Sequence, residues 1–233
     1  MPDSPRSSPR LSPQDRQAQI LALARRDGTV RIATLAELFD VTTETARRDL
    51  DELAEAGALN RTYGGGAIRS LTYEPGIGER GQAHAEERAR IGAAAAELVQ
   101  AGDALMIDCG STTSHFASAL ARRGLPLTVL TNGLLVAQAL GANAQCRVLL
   151  CPGEYVTREG GTFGADTLDF IRRFSANKAF IGASGVTAAG VTDADSAGCA
   201  VKRTMLAHTE RALLLVDSSK HDVAQFERVC PLA

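Results

Sequence analysis

From residue 88 onward the chain keeps repeating one unit: a short, nearly continuous apolar run followed by a stretch with helical spacing. ALMID, LTVLT, CRVLLC, KAFIGAS and RALLLVD are the runs. ARIGAAAAELV precedes the first, and TSHFASAL, LLVAQAL, DTLDFIRRF and AVKRTMLAHT carry the helical spacing between or beside the others. A strand with one wet face alternates apolar and polar side chains, whereas these runs have no polar side to turn outward. Strands covered on both faces and separated by helices predict an α/β domain with a mainly parallel sheet over residues 88–233.

Residues 12–69 follow a different pattern. Ser12 is a candidate N-cap with Pro13 at the first helical position, and Ile20, Leu21 and Leu23 give an apolar face that ends at Asp27-Gly28. Thr29–Ile32 is expected as a short strand, and Thr34 as the cap of a second helix bearing Leu35, Leu38 and Phe39. Val41-Thr42 makes the turn into a third helix, with Thr42 as cap, Ala46, Leu50, Leu53 and Ala54 on the buried face and Gly57 as the stop. Leu59–Tyr63 and Ala67-Ile68 then flank Gly64-Gly65-Gly66 as a tight hairpin. Three helices and a hairpin predict a small winged helix-turn-helix domain, so the chain is multidomain. Residues 1–11 are expected to be disordered and 70–87 to be a linker.

Bulk composition narrows the partners. The formal charge is -2, and residues 1–70 hold ten arginines against ten acidic residues, so nucleic-acid contact has to come from local placement of arginine. Five cysteines, an odd number without a CxxC pair, predict reduced, buried thiols, with no metal and no cofactor. No segment has the apolar length of a signal peptide or a membrane span, which predicts a cytoplasmic protein that does not engage the membrane.

In a helix-turn-helix the second helix of the pair enters the major groove with its N-terminal residues leading. Here that end carries Thr42, Thr43, Glu44, Thr45, Arg47 and Arg48. Arginine suits guanine edges and phosphates, and threonine suits phosphates and thymine methyls. Arg61 and Arg69 in the hairpin are placed to grip flanking DNA backbone or minor groove. The alternative is that Arg47 and Arg48 only pair with Asp49, Asp51 or Glu52 on a solvated helix face.

In the second region polar and small residues collect at strand ends, where ligands bind in open α/β sheets. Asp108, Gly110, Ser111, Thr112 and Thr113 follow the first strand and offer hydroxyls and N–H groups at a helix start, suited to phosphate. Thr131 and Asn132, Gly153, Gly182 and Ser184, and Lys220 sit at the other strand ends. Lys202 and Arg203 on the last helix are candidates to face the same pocket. Hydroxyl-rich caps without a ligand are the alternative.

RQAQILALARRDG, LAELFDV, TTETARRDLDELAEAGAL and NRTYGGGA together resemble the N-terminal signature of the DeoR transcription regulators. IDCGSTT, LTVLTNGLLVAQAL, AFIGASGV, the VKR helix and LLLVDSSK resemble that family's C-terminal sensor domain, itself distantly similar to ribose-5-phosphate isomerase. The resemblance implies a repressor of carbohydrate-metabolism genes that binds double-stranded operator DNA as a homodimer or homotetramer and answers to a phosphorylated sugar. Where the isomerase-like pattern has paired acids after the central strand, this chain has GASGV, so the rival reading, a sugar-phosphate isomerase with a DNA-binding module, lacks its carboxylates there. A DNA-binding scaffold with an empty sensor is a third reading. Glu154 stands where a second glycine is usual, which is expected to put a negative charge near the phosphate. The chain ends at FERVCPLA, earlier than the family pattern: either the sensor is truncated, in which case an exposed sheet edge is expected, or this member is naturally short.

Overall fold

The computed structural model describes residues 11–55, 58–68, 71–72, 74–82 and 84–232. The expected disorder at the N-terminus falls, but for Leu11, outside the described residues, as do the Gly57 stop and Arg69. By its internal contacts the chain divides into two compact units, Met1–Ser70 and Leu71–Ala233. No helix among the described residues is long and apolar enough to cross a membrane.

In the first unit, α1 (Pro13–Asp27) starts at Ser12, whose hydroxyl accepts the Asp15 N–H, and stops at Gly28, held at φ +78°. β1 (Thr29–Arg31) is followed at once by α2 (Ile32–Leu38). Thr34 is therefore inside the helix rather than its cap: Ile32, read as the last strand residue, is buried as the first helical one, and Leu38 points into solvent. Thr42 does cap α3 (Thr43–Glu55), accepting the Thr45 N–H at 3.1 Å. Ala46, Leu50 and Leu53 face Ile20, Ala24 and Leu35 in one apolar core, with Ala54 only half-buried.

β2 (Leu59–Thr62) and β3 (Gly65–Ile68) form the hairpin, and β3 also pairs with β1, giving an antiparallel sheet in the order β1-β3-β2. Two of the three glycines thus belong to the central strand. A Cβ on Gly65 would lie 1.9 Å from the Val30 carbonyl oxygen, and one on Gly66 would meet Leu50 at 3.0 Å. Only Gly64, at φ +79°, serves the turn, beside Tyr63.

The second unit opens with α4 (Ile77–Gln82) and α5 (Ala85–Ala96), so the stretch expected as a linker carries one helix and the start of another. Then follow β4 (Ala104–Ile107), α6 (Ser111–Ala121), β5 (Leu127–Thr131), α7 (Leu134–Gly141) and β6 (Cys146–Leu150). A hairpin of β7 (Glu154–Val156) and β8 (Gly161–Phe163) leads to α8 (Ala165–Ile171) and β9 (Ala176–Ile181). β10 (Gly185–Thr187), β11 (Gly190–Asp193), α9 (Ser196–Ala207), β12 (Thr209–Leu214) and β13 (Glu227–Cys230) complete it.

β12-β9-β4-β5-β6 form a sheet parallel throughout, and β10-β11-β13 form a small antiparallel one. Alternation along β4 shows how the large sheet is covered. Leu105 and Ile107 join Phe116, Leu120, Val136 and Leu140 from α6 and α7, while Met106 joins Ile171, Val201 and Met205 from α8 and α9. From β4 the chain winds one way to β5 and β6, then returns to lay β9 and β12 on the other side. β4 and β9 are therefore neighbours whose following loops diverge, which opens a crevice at their C-terminal ends. β12, at the sheet edge, is exposed over Glu210, Arg211 and Ala212 and half-buried elsewhere.

Candidate functional site

On the first unit the leading end of α3 is exposed. Arg47 Nη1 donates to Glu44 at 2.8 Å and Arg48 Nε to Glu52 at 3.2 Å, each within the helix. Solvated pairs of this spacing stabilise by only a few tenths of a kcal/mol and yield readily to a phosphate or a base edge. Asp49 takes neither arginine. It is buried and held by Arg16 of α1, at 2.5 and 2.9 Å, a role the surface reading of Asp49 missed. Arg61 is half-buried, with Nε 2.9 Å from Asp51 and Nη1 donating to the Gly65 carbonyl at 2.7 Å, so it braces the hairpin against α3. Tyr63, not among the residues expected to contact DNA, is 85% exposed at the hairpin tip.

In the second unit a cleft, partly open to solvent, lies at the divergence of β4 and β9. Asp108, Gly110, Ser111 and Thr112 enter it after β4, Gly182 and Ser184 after β9, Lys202 from α9 and Lys220 after β12. Thr113, Thr131, Asn132 and Gly153 do not line it. Thr113 donates to the Asp108 carbonyl; Thr131 accepts the Gly133 N–H; Asn132 accepts the Cys109 N–H and donates to the Thr162 carbonyl, tying the β4 and β5 loops together. Gly153, at φ +136°, sits so close to Thr167 Oγ1 and the Phe163 carbonyl that a Cβ would meet them at 2.2 and 2.5 Å. Glu154 is exposed on β7 and does not line the cleft. Arg203 pairs with Glu227 on the surface instead of facing the cleft.

Carboxylates that GASGV lacks arrive from elsewhere: Glu74, Glu159, Asp193 and Asp195 line the cleft beside Asp108, together with Arg80 and Arg88. Glu74 and Arg80 come from the supposed linker, and no local pattern marks them, because their partners lie far along the chain. Arg80 bridges Glu74 at 3.0 Å and Glu159 at 2.7 Å; Arg88 reaches Asp217 at 3.3 Å.

Lys202 Nζ sits 2.7 Å from Asp193 Oδ2 and 3.4 Å from Asp108 Oδ2. Burial alone would favour neutral lysine, but the two carboxylates outweigh it and hold the ammonium well above its ordinary pKa. Burial also raises the Asp108 carboxyl above its usual range, an effect Lys202 and the Gly182 N–H only partly offset. Asp108 Oδ2 accepts that N–H at 3.1 Å, whereas Oδ1 has no hydrogen-bond partner among the described residues although Asp108 is 1% exposed. A buried carboxylate oxygen left without a partner costs about 1–3 kcal/mol, so a donor that reached Oδ1 would stabilise it. Cys109, also in the wall, has its thiol pushed up to about 12 by burial and by Asp108, which makes it a poor nucleophile. All five cysteines are free thiols.

A winged helix-turn-helix joined to an α/β unit with such a cleft is the build of a DNA-binding transcription regulator with a sensor domain. The chain belongs to the DeoR family: the DeoR-like helix-turn-helix domain matches residues 16–71 and the DeoR C terminal sensor domain residues 83–233. Among curated relatives, the glycerol-3-phosphate regulon repressor of Escherichia coli K12 is 35% identical over 202 residues, 86% of this chain and 80% of that protein. The transcriptional repressor AccR of Agrobacterium fabrum is 32% identical over 90% of this chain and 82% of its own. Ribose 5-phosphate isomerase A of Methanocaldococcus jannaschii aligns at a TM-score of 0.44 and 16% identity, covering 60% of this chain and 55% of that one.

Proposed function

We propose that this protein is an operator-binding repressor of carbohydrate-metabolism genes whose DNA affinity is set by a phosphorylated sugar held in the α/β cleft. α3 reads the major groove with Thr42, Thr43, Glu44, Thr45, Arg47 and Arg48, and the hairpin braced by Arg61 lies along the flanking backbone. Operator half-sites come in pairs, so the working form is a homodimer or homotetramer. The observation that carries the effector class is the pairing, within one cleft, of an unsatisfied buried acceptor, Asp108 Oδ1, with the cations Arg80, Lys202 and Lys220. Oδ1 suits a ligand hydroxyl, and the cations, each paired with a carboxylate of the wall, can exchange that carboxylate for a phosphate; a sugar phosphate offers both. The relatives named as repressors, one of them of a glycerol-3-phosphate regulon, support the same reading.

Ligand control requires the effector to bind one domain arrangement better than another. Thermal melting of the full chain tests the effector half. A mixed sugar-phosphate pool is expected to raise Tm, and the matching unphosphorylated sugars to leave it unchanged. Equal shifts from both pools, or none, would contradict the assignment. A second reading, proton transfer on a sugar phosphate, draws on the raised carboxyl of Asp108. Turnover of ribose 5-phosphate by the wild-type chain, lost in Asp108→Asn, would favour it.

A further inference from the structure

The cleft already holds an anion of its own. Glu74 is 7% exposed, with Oε1 2.8 Å from Lys220 Nζ and Oε2 3.0 Å from Arg80 Nη1 and 2.5 Å from Ser184 Oγ. Two cations and a hydroxyl converging on one carboxylate are what a phosphate group would ask for. Burial opposes the charge on Glu74, but Arg80 and Lys220 outweigh it and keep the carboxyl below its usual range. The seat is also contested. Ser184 Oγ lies 2.5 Å from Glu74 and 2.6 Å from Asp193, yet it has one proton to donate and cannot serve both carboxylates. Glu74 is thus retained by the cations and opposed by Asp193 across a shared hydroxyl.

Its position in the chain gives this arrangement meaning. The first unit ends at Ser70, and Glu74 stands four residues later, at the start of the segment that enters the second unit. Resting on the reading of the cleft as a sugar-phosphate site, the geometry points to Lys220, Arg80 and Ser184 as the phosphate subsite and to Glu74 as its resident competitor: an incoming phosphate takes these partners, and Glu74 with the segment after residue 70 is released. A phosphate carries up to two charges where the carboxylate carries one, so the exchange favours the ligand once it is present. Residues 74–79 of the second unit are then held when Glu74 keeps these partners and freed when phosphate takes them, which is a difference between states of the kind ligand control requires.

Calorimetry of the full chain with inorganic phosphate, at fixed ionic strength with chloride as control, tests this. Glu74→Gln keeps the size and hydrogen-bonding capacity of the side chain and removes its charge; it is expected to bind phosphate about tenfold more tightly than wild type, and Lys220→Gln about tenfold more weakly. Hydrogen exchange in the unaltered protein gives a second readout: saturating phosphate is expected to speed exchange in the peptide spanning residues 71–79. Phosphate binding by wild type that Glu74→Gln leaves equal or weaker, or exchange that phosphate slows or leaves unchanged, overturns the competitor role while the cleft remains an anion site. No phosphate binding by either protein overturns both the competitor role and the phosphate reading of the cleft.

Discussion

Arg16 of α1 grips Asp49 of α3 through two parallel hydrogen bonds, Nε to Oδ2 at 2.5 Å and Nη2 to Oδ1 at 2.9 Å, with both side chains nearly out of contact with water. The pair is buried between α1 and α3, whereas Arg47 and Arg48 of α3 are exposed. Losing one partner of a buried pair strands the other, so Asp49→Ala is expected to destabilise the first unit by about 3 kcal/mol. Urea unfolding measures it. Pairing Asp49→Leu with Arg16→Met removes both charges and is expected to recover most of the loss; no recovery would mean that packing, not the ion pair, is what Asp49 supplies.

Arg47 and Arg48 make only surface pairs within α3, which leaves both free to exchange a glutamate for DNA. Arg47→Ala and Arg48→Ala are each expected to weaken operator binding by about 1–3 kcal/mol where the contact is bidentate to a base. An arginine that meets phosphate instead lowers the salt slope by about 1 and weakens all sequences alike. Binding isotherms at several salt concentrations separate the two. Unchanged affinity in both variants would remove α3 from the role of reader.

At the hairpin tip Tyr63 is 85% exposed. Tyr63→Ala is expected to leave unfolding unchanged within about 0.5 kcal/mol, as for surface positions generally, while lowering operator affinity if the tip meets DNA. Equal affinity on long and short operator duplexes would show that it does not.

Asp193 gives a pH-dependent test. Burial pushes its carboxyl up, but Lys202, Ser184 and the Ala194 N–H outweigh this, and the folded pKa lies below the usual value. A depressed folded pKa means that the unfolded chain binds the proton first as pH falls. The stability contributed by Asp193 is therefore complete above the ordinary aspartate pKa near 3.9 and disappears as pH falls through the lower folded value. Asp193→Asn is expected to cost about 2–3 kcal/mol at pH 7, with the gap to wild type narrowing below about pH 4. A gap that stays constant from pH 7 to pH 3 would contradict the ion-pair account.

What could be read from the sequence was what depends on neighbours in the chain. The apolar runs announced a sheet covered on both faces, and Thr42 could be read as a cap because cap and helix are contiguous. Asp108, Ser111, Thr112, Ser184 and Lys220 could be placed at strand ends because parallel strands send their C-termini to one edge. Contacts across long separations could not be read. Glu74 meets Lys220 across 146 residues, and a short stretch rich in glycine and proline looks like a linker until that partner is known. Thr131, Asn132 and Gly153 sit at strand ends as expected yet serve the loops, because strand ends also have to close their own backbone hydrogen bonds. Gly65 and Gly66 were read as turn residues, when close approach to Val30 and Leu50 inside the sheet is what demands them.

The central claim is that a sugar phosphate whose hydroxyl meets Asp108 governs operator binding. Fluorescence anisotropy of the full chain on DNA from upstream of its own operon, at fixed salt, with and without a mixed sugar-phosphate pool, tests it in wild type and in Asp108→Asn. The pool is expected to shift wild-type affinity by about 5-fold or more, within the usual span of coupling between sites, while Asp108→Asn binds the DNA as wild type does and ignores the pool. Wild-type affinity that the pool leaves unmoved, or an Asp108→Asn protein that responds just as strongly, would contradict it.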